Sequence, residues 1–167
     1  MDELEEKPRK IKKPRKSTSP YRTGLFTPKN PHKYIGDIDK ITFRSSWEKR
    51  VFTFLDDNPY ILGWASEPFP IPYMKPVFIN GRPAFKRANY YPDIYVEFID
   101  KDGMECRQLI EIKPEKQTKL SKSRKPVVRL EENYIFQVNQ AKWMAAEAWA
   151  KANGVEFMVA TEKSIFR

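Results

Sequence analysis

The sequence predicts an α/β fold with the element order α-β-β-β-α-β. Its sheet is mixed and flanked by helices, and an extended N-terminal arm over residues 1–40 precedes a single domain over residues 41–167. Three observations carry that prediction. Residues 89–113 hold two strand-like runs around the turn Asp100-Lys101-Asp102-Gly103. Amphipathic, helix-period patterns run through residues 40–59 and 130–153. A last apolar run, Val155 to Thr161, follows the second helix. A strand–helix–strand crossover sets that run parallel to the strand before the helix, whereas the hairpin is antiparallel.

The arm comes first. Asp2 to Glu6 is acidic, Lys7 to Lys16 is basic and broken by Pro8 and Pro14, and Ser17 to Pro31 mixes Ser, Thr and Pro with Tyr21 and Phe26. Prolines and like charges oppose a packed helix. A DNA-backbone tether, a docking arm and a solvated tail all fit this composition.

Residues 40–59 read as the first helix. Thr42 or Ser45 supplies an N-cap, and Asn58-Pro59 stops it. Trp47, Val51, Phe54 and Leu55 form the apolar stripe, with Glu48 beside it at the expected helix–sheet edge. Residues 60–73 are strand-like but rich in proline, which suits an edge strand or two short strands. Glu67 lies within them, its role open. Residues 74–88 read as a loop or loose hairpin around Asn80-Gly81, with Lys75, Arg82, Lys86 and Arg87.

The register of the central hairpin follows from its turn. Lys101 and Asp102 suit a type I turn, and Gly103 suits the left-handed position after it. Asp100 then faces Met104, and counting outward sets Asp93 opposite Glu111. Opposed residues share a face, and Lys113 joins them. The other face carries Ile94, Val96, Phe98, Ile110 and Ile112, the expected core face. Two carboxylates this close share a proton or bind a cation. Their hard oxygens suit Mg²⁺ or Mn²⁺.

Pro114 ends the second strand of the hairpin. Residues 115–129 are expected to be a mobile loop whose Lys116, Lys119, Lys122, Arg124 and Lys125 contact phosphate. The second helix spans residues 130–153 and closes at Gly154. Its stripe is expected at Tyr134, Val138, Ala141, Ala145 and Ala148, with Asn139 and Lys142 on a neighbouring face.

Composition narrows the chemistry. The hydrophobic fraction of 40% supports a real core. Lys and Arg number 31 against 22 Asp and Glu, a net charge of +9 that favours a polyanionic partner, nucleic acid before an acidic membrane. One cysteine, Cys106, excludes an internal disulfide and a cysteine-rich zinc site. One histidine, His32, excludes a His-rich metal site. No run has the length of a membrane span, and no signal-peptide core opens the chain. An intracellular protein is expected.

Pro92-Asp93 followed by Glu111-Ile112-Lys113, on this order of elements, resembles the PD-(D/E)xK nuclease superfamily and its restriction-endonuclease-like fold. The likeness covers residues 43–161. Within the superfamily the chain is most similar to the head-completion nucleases of T-even-like tailed bacteriophages. Phe43-Arg-Ser-Ser-Trp-Glu48, residues 64–73, Tyr91-Pro-Asp93, Glu111-Ile-Lys113 and Asn139-x-x-Lys142-Trp143 carry that likeness. The end-cutting subunit of some cut-and-paste transposons shares the outline more loosely.

The resemblance implies a metal-dependent DNA endonuclease acting in late head assembly, after packaging and before tail joining. It implies Asp93, Glu111 and the Ile112 carbonyl as ligands of Mg²⁺ or Mn²⁺, Lys113 as the catalytic cation and Glu48 as an added acid. Lys142 with Asn139 or Gln140 would serve the phosphate. DNA without strong sequence preference and capsid or portal-vertex proteins are the implied partners, for a monomer of the host cytoplasm and the virion. Two rival readings stand beside it. One is a virion protein that docks without cutting, and the other is a transposon-end or repair nuclease.

Overall fold

Gly103 adopts φ +78, the left-handed conformation a glycine reaches without penalty. Its N–H donates to the Asp100 carbonyl at 3.0 Å, and the Asp100 N–H donates to the Met104 carbonyl at 2.9 Å. The register expected from the sequence results, with Ile99 paired to Glu105 and Ile94 to Ile110. Continued one step, it sets Asp93 across from Glu111. The structure is a computed structural model and describes residues 23–165.

In chain order the elements are strand β1 (Gly24–Leu25), two 3₁₀ turns (Pro31–Lys33 and Ile38–Lys40), strand β2 (Thr42–Phe43) and helix α1 (Ser46–Asp57). Strands β3 (Ile61–Ser66), β4 (Ile71–Ile79), β5 (Arg82–Tyr90), β6 (Ile94–Ile99) and β7 (Glu105–Ile112) follow. A 3₁₀ turn (Glu115–Gln117), helix α2 (Pro126–Ala152), strand β8 (Glu156–Ala160) and the short helix α3 (Glu162–Ile165) complete the order.

The main sheet has the order β3-β6-β7-β8. Strand β6 is antiparallel to its neighbours β3 and β7, and β8 runs parallel to β7 across the α2 crossover. Thus α1, β3, β6, β7, α2 and β8 reproduce the predicted α-β-β-β-α-β core with its mixed sheet. Strands β4 and β5 form a separate two-stranded ribbon inserted between β3 and β6.

Each face of the sheet has its own core. On one face, Ile94, Val96 and Ile112 pack with Phe52 and Leu55 of α1 and with Trp64. On the other, Leu109 packs with Ala146 and Ala150 of α2, Val155, and Ile71, Tyr73 and Tyr90 of the ribbon. Asp93, Glu111 and Lys113 share the parity of Leu109. They therefore continue the α2 face beyond the point where its apolar side chains stop.

The N-terminal boundary differs from expectation. Residues 24–40, assigned from sequence to the extended arm, belong to the domain. Strand β1 pairs with β2, and Ile35 N–H donates to the Trp64 carbonyl at 2.7 Å. The Phe26 ring lies 5.7 Å from Phe52 and 5.8 Å from Trp64, and Tyr34 lies 4.8 Å from Trp64. Burial of these rings outweighs the irregular local sequence. Asp56, 1% exposed, anchors the same segment by accepting from the backbone N–H groups of Lys29 and Asn30 at 2.7 and 3.1 Å. The basic run at residues 7–16 lies outside the described residues.

Further differences concern the ends of elements. Helix α1 begins at Ser46 with Ser45 as its cap, because Thr42 is in a strand. The loose hairpin expected over residues 74–88 is a full ribbon. Helix α2 begins at Pro126, a favoured first helical residue, so the expected loop over 115–129 shortens. Its buried stripe is Asn139, Trp143, Ala146 and Ala150, and Ala148 is exposed. Cys106 is half-buried and donates its thiol to Asp100 at 3.6 Å.

Replacing Asp56 with Ala orphans two backbone donors. The expected cost is about 1–3 kcal/mol in a urea-denaturation measurement, with secondary structure retained at low denaturant.

Candidate active site

The acidic pair occupies the end of the β6–β7 hairpin farthest from Gly103. Asp93 sits just before β6, where Pro92 favours the extended conformation of the preceding Tyr91 and helps the chain enter the strand straight. Its Oδ2 accepts the Ile112 N–H at 2.7 Å, tying the carboxylate to β7. Glu111 is 2% exposed. Its Oε2 accepts the phenol of Tyr90 at 2.7 Å, and its Oε1 takes the ammonium of Lys113 at 2.8 Å. The Lys113 N–H is spent on the Ala160 carbonyl at 2.9 Å, so the parallel partner β8 fixes the lysine's backbone.

Electrostatics follow from this packing. Burial, then the charge of Glu111, push the Asp93 carboxyl up to about 8, against the opposing pull of Lys113 and the Ile112 N–H. Burial works against the charge of Lys113, but Glu111 and Asp93 outweigh it and hold the ammonium above the ordinary lysine value. Burial and then Glu111 raise the Tyr90 phenol, which stays a donor. One lysine against two inward-facing carboxylates leaves the site short of positive charge.

That deficit and the donor set fit a hard divalent cation. Each carboxylate oxygen has two lone pairs, so the hydrogen bonds described leave room for a metal. Among the described residues, no group of three Asp, Glu, His or Cys side chains gathers around a point. Two carboxylates with water, backbone carbonyl and phosphate oxygens suit Mg²⁺, which keeps several waters, better than a cation needing an all-protein cage.

Residues 58–162 match the family model described as TnsA-like endonuclease N terminal, more than half of the chain. The protein belongs to the TnsA-like endonuclease family. It is also similar to the head completion nuclease of Enterobacteria phage T4, with 39% identity over 150 residues that cover 86% of this chain and 93% of the phage protein. The resemblance read from the sequence is therefore borne out, as is the nuclease-like α/β fold. The family match takes in Asp93, Glu111, Lys113, Asn139 and Lys142, and it begins after Glu48.

The two helices bring the remaining candidates to unequal positions. Glu48 is on the first turn of α1 and lines a cleft of 330 Å³ with Ser45, Ile112, Lys113 and Gln117. Its carboxylate accepts the Arg44 N–H at 2.8 Å and the Ser45 hydroxyl at 3.2 Å, a variant of the capping box. Lys142 reaches over the Tyr90 ring, 5.6 Å from its centroid. Burial, then Lys113, with Lys75 adding to them, lower its pKa. Asn139 faces the protein instead. It is 4% exposed, and its amide donates to the Gln117 carbonyl at 3.5 Å, which ties α2 to the turn after Lys113. This contact positions the turn that follows Lys113.

The expected phosphate-binding lysines also divide. Lys119 is ion-paired with Glu115, which Lys163 also holds at 2.5 Å. Lys119, then Lys163, depress the Glu115 carboxyl to about 2. Lys116, Lys122, Arg124 and Lys125 are exposed. Sequence reasoning missed Tyr90, whose buried phenol supports Glu111. The available signal was its position at the end of a strand, three residues before Asp93. It also left Glu67 open. Glu67 takes φ +45, donates its N–H to the Asp93 carbonyl at 3.0 Å and ion-pairs with Arg44.

The pH dependence has a definite sign. Asp93 keeps its proton in the folded state after the unfolded chain has lost it, so stability without metal falls as pH rises from the ordinary carboxylate range toward 8. Asp93→Asn flattens this decline in a melting-temperature series. Mg²⁺ or Mn²⁺ at about 100 times its dissociation constant is expected to add roughly 2.7 kcal/mol to the wild type, and Asp93→Asn is expected to lose this gain.

Proposed function

We propose that this phage head-completion nuclease homologue is a divalent-metal-dependent DNA endonuclease of the PD-(D/E)xK type. The observation that carries the proposal is the pairing of Asp93 with the buried Glu111, to which Lys113 is bonded, in a member of an endonuclease family. Asp93, Glu111 and the Ile112 carbonyl would hold Mg²⁺ or Mn²⁺. When bound, the metal polarises a phosphodiester and lowers the pKa of a water.

The chain's own groups supply the rest. The Ile112 N–H orients Asp93, and the Tyr90 phenol and Lys113 ammonium orient Glu111. Lys113 is the cation closest to the acids. Its role is to hold the attacking water or to stabilise charge developing on phosphorus-bound oxygens. Lys142 approaches from α2 and is weakly screened because it is half-buried, which suits it to a phosphate oxygen. Glu48 lines the cleft on the opposite side and tunes the local field. Lys116, Lys122, Arg124 and Lys125 hold the DNA backbone without reading bases.

The role we infer is that of the T4 relative's name, head completion. It implies contact with the capsid or portal vertex and action in the host cytoplasm and in the virion. The protein is inferred to work as a monomer on DNA of no fixed sequence. Among the described residues, no helix is long and apolar enough to cross a membrane.

Cleavage of linear and branched DNA with Mg²⁺ tests the assignment. Lys113→Ala is expected to cut about 10²–10³-fold more slowly while melting near the wild-type temperature. Equal rates for the two proteins sink it. Complementation of head assembly by Glu111→Ala separates cutting from docking, because normal infectious particles from that variant would favour a purely structural role.

A further inference from the structure

Between Glu67 and Asp93 the chain has four cations, Lys75, Arg82, Lys86 and Arg87, and no acidic residue. This stretch is the β4–β5 ribbon with its flanks. Lys75 and Lys86 are direct cross-strand partners, and the face they share continues to Tyr73 and Tyr90. Like charges directly opposite one another in an antiparallel pair destabilise it. Among the described residues, none of the four cations is ion-paired with a carboxylate, and Lys86, Arg87 and Arg82 are exposed. The ribbon therefore tolerates uncompensated positive charge.

The base of the ribbon belongs to the active site. Tyr90 ends β5 and donates to Glu111, and Lys142 lies over its ring. Lys75 is near enough to depress Lys142. A path of positive charge thus leads from Lys113 through Lys142 and Lys75 to Lys86, then to Arg82 near the tip. Helix α2 packs along β4 and holds the ribbon in place, with the Tyr134 phenol donating to the Pro76 carbonyl at 3.0 Å. Strand β5 is left at the open edge. Edge strands often carry charge to prevent pairing with other chains, but that purpose needs charge of no particular sign. Exclusive use of cations in continuity with the site matches a polyanion.

We propose that the β4–β5 ribbon is a duplex-gripping element. Lys75, Arg82 and Lys86, which share one face of the ribbon, neutralise phosphates beside the scissile position while Tyr90 anchors the ribbon to the catalytic strand. This rests on the reading of the protein as a DNA nuclease and adds an element that the loop after Lys113 does not provide. Two antiparallel strands fit the width of a major groove. Strands of nine residues span about 30 Å, or roughly nine nucleotides of duplex.

The test measures binding of a fluorescent DNA duplex by the full chain across about 50–200 mM salt. The double variant Arg82→Glu/Lys86→Glu is compared with Lys101→Glu/Lys151→Glu, an equal charge change away from the ribbon. The ribbon variant is expected to lose at least about tenfold in affinity and to flatten the log–log salt slope by about two, with metal-induced thermal stabilisation unchanged. The control is expected to keep the wild-type slope. Equal slopes for wild type and ribbon variant, or equal losses in ribbon variant and control, overturn the ribbon assignment while DNA binding by the wild type leaves the nuclease reading intact. Failure of the wild type both to bind and to cut DNA overturns both.

Discussion

Two carboxylates that face each other inside a protein must be compensated, and much of the architecture answers that demand. Asp93 is held by a backbone N–H from the neighbouring strand, and Glu111 by a phenol and an ammonium. Those partners come from β5, β7 and the residue after β7, so β5, β6 and β7 must all be in register before the full set of contacts exists. The hairpin turn sets the register of β6 on β7. The crossover through α2 sets β8 beside β7 and fixes the backbone of Lys113. The apolar faces supply the free energy of assembly, and the acids mark where that burial stops.

The strand-borne half of the site was legible because its rules are local. A period of two and a turn glycine suffice to place Asp93, Glu111 and Lys113 on one face. Tyr90 escaped because its partner is distant in sequence and a tyrosine before Pro-Asp has no fixed role. The orientation of Asn139 was not legible, because a helical period gives neighbouring faces but not which of them turns inward, and the buried stripe includes it. The early start of α2 was signalled by Pro126. It was obscured by charged and exposed first turns that lack the apolar spacing of a packed helix. Residues 24–40 were unreadable for a different reason. Nothing in their local pattern favours order, and they are held by Phe26, Tyr34 and the carboxylate of Asp56, all tertiary contacts.

Positive charge is distributed with the same economy. Lys113 is bonded within the site, Lys142 is half-buried at its rim, and the exposed cations of the ribbon and of residues 116–125 lie farther out. Screening by solvent increases along that series, so the inner lysines act through defined contacts and the outer ones through a diffuse field. Lys119 shows that composition alone overcounts such a field, since Glu115 already claims it.

The ribbon enters and leaves the sheet at adjacent points. Ser66 pairs with Ile94, and the Glu67 N–H meets the Asp93 carbonyl at 3.0 Å. The whole excursion is thus closed at its root by a single rung of the sheet, with Glu67 turning the chain through φ +45. An insertion rooted in this way can lengthen, shorten or change its surface without altering the spacing of the strands that hold it. The base of the ribbon, which supplies Tyr73 to the core and Tyr90 to Glu111, is thereby kept fixed, while the part beyond it is free to differ in length and surface.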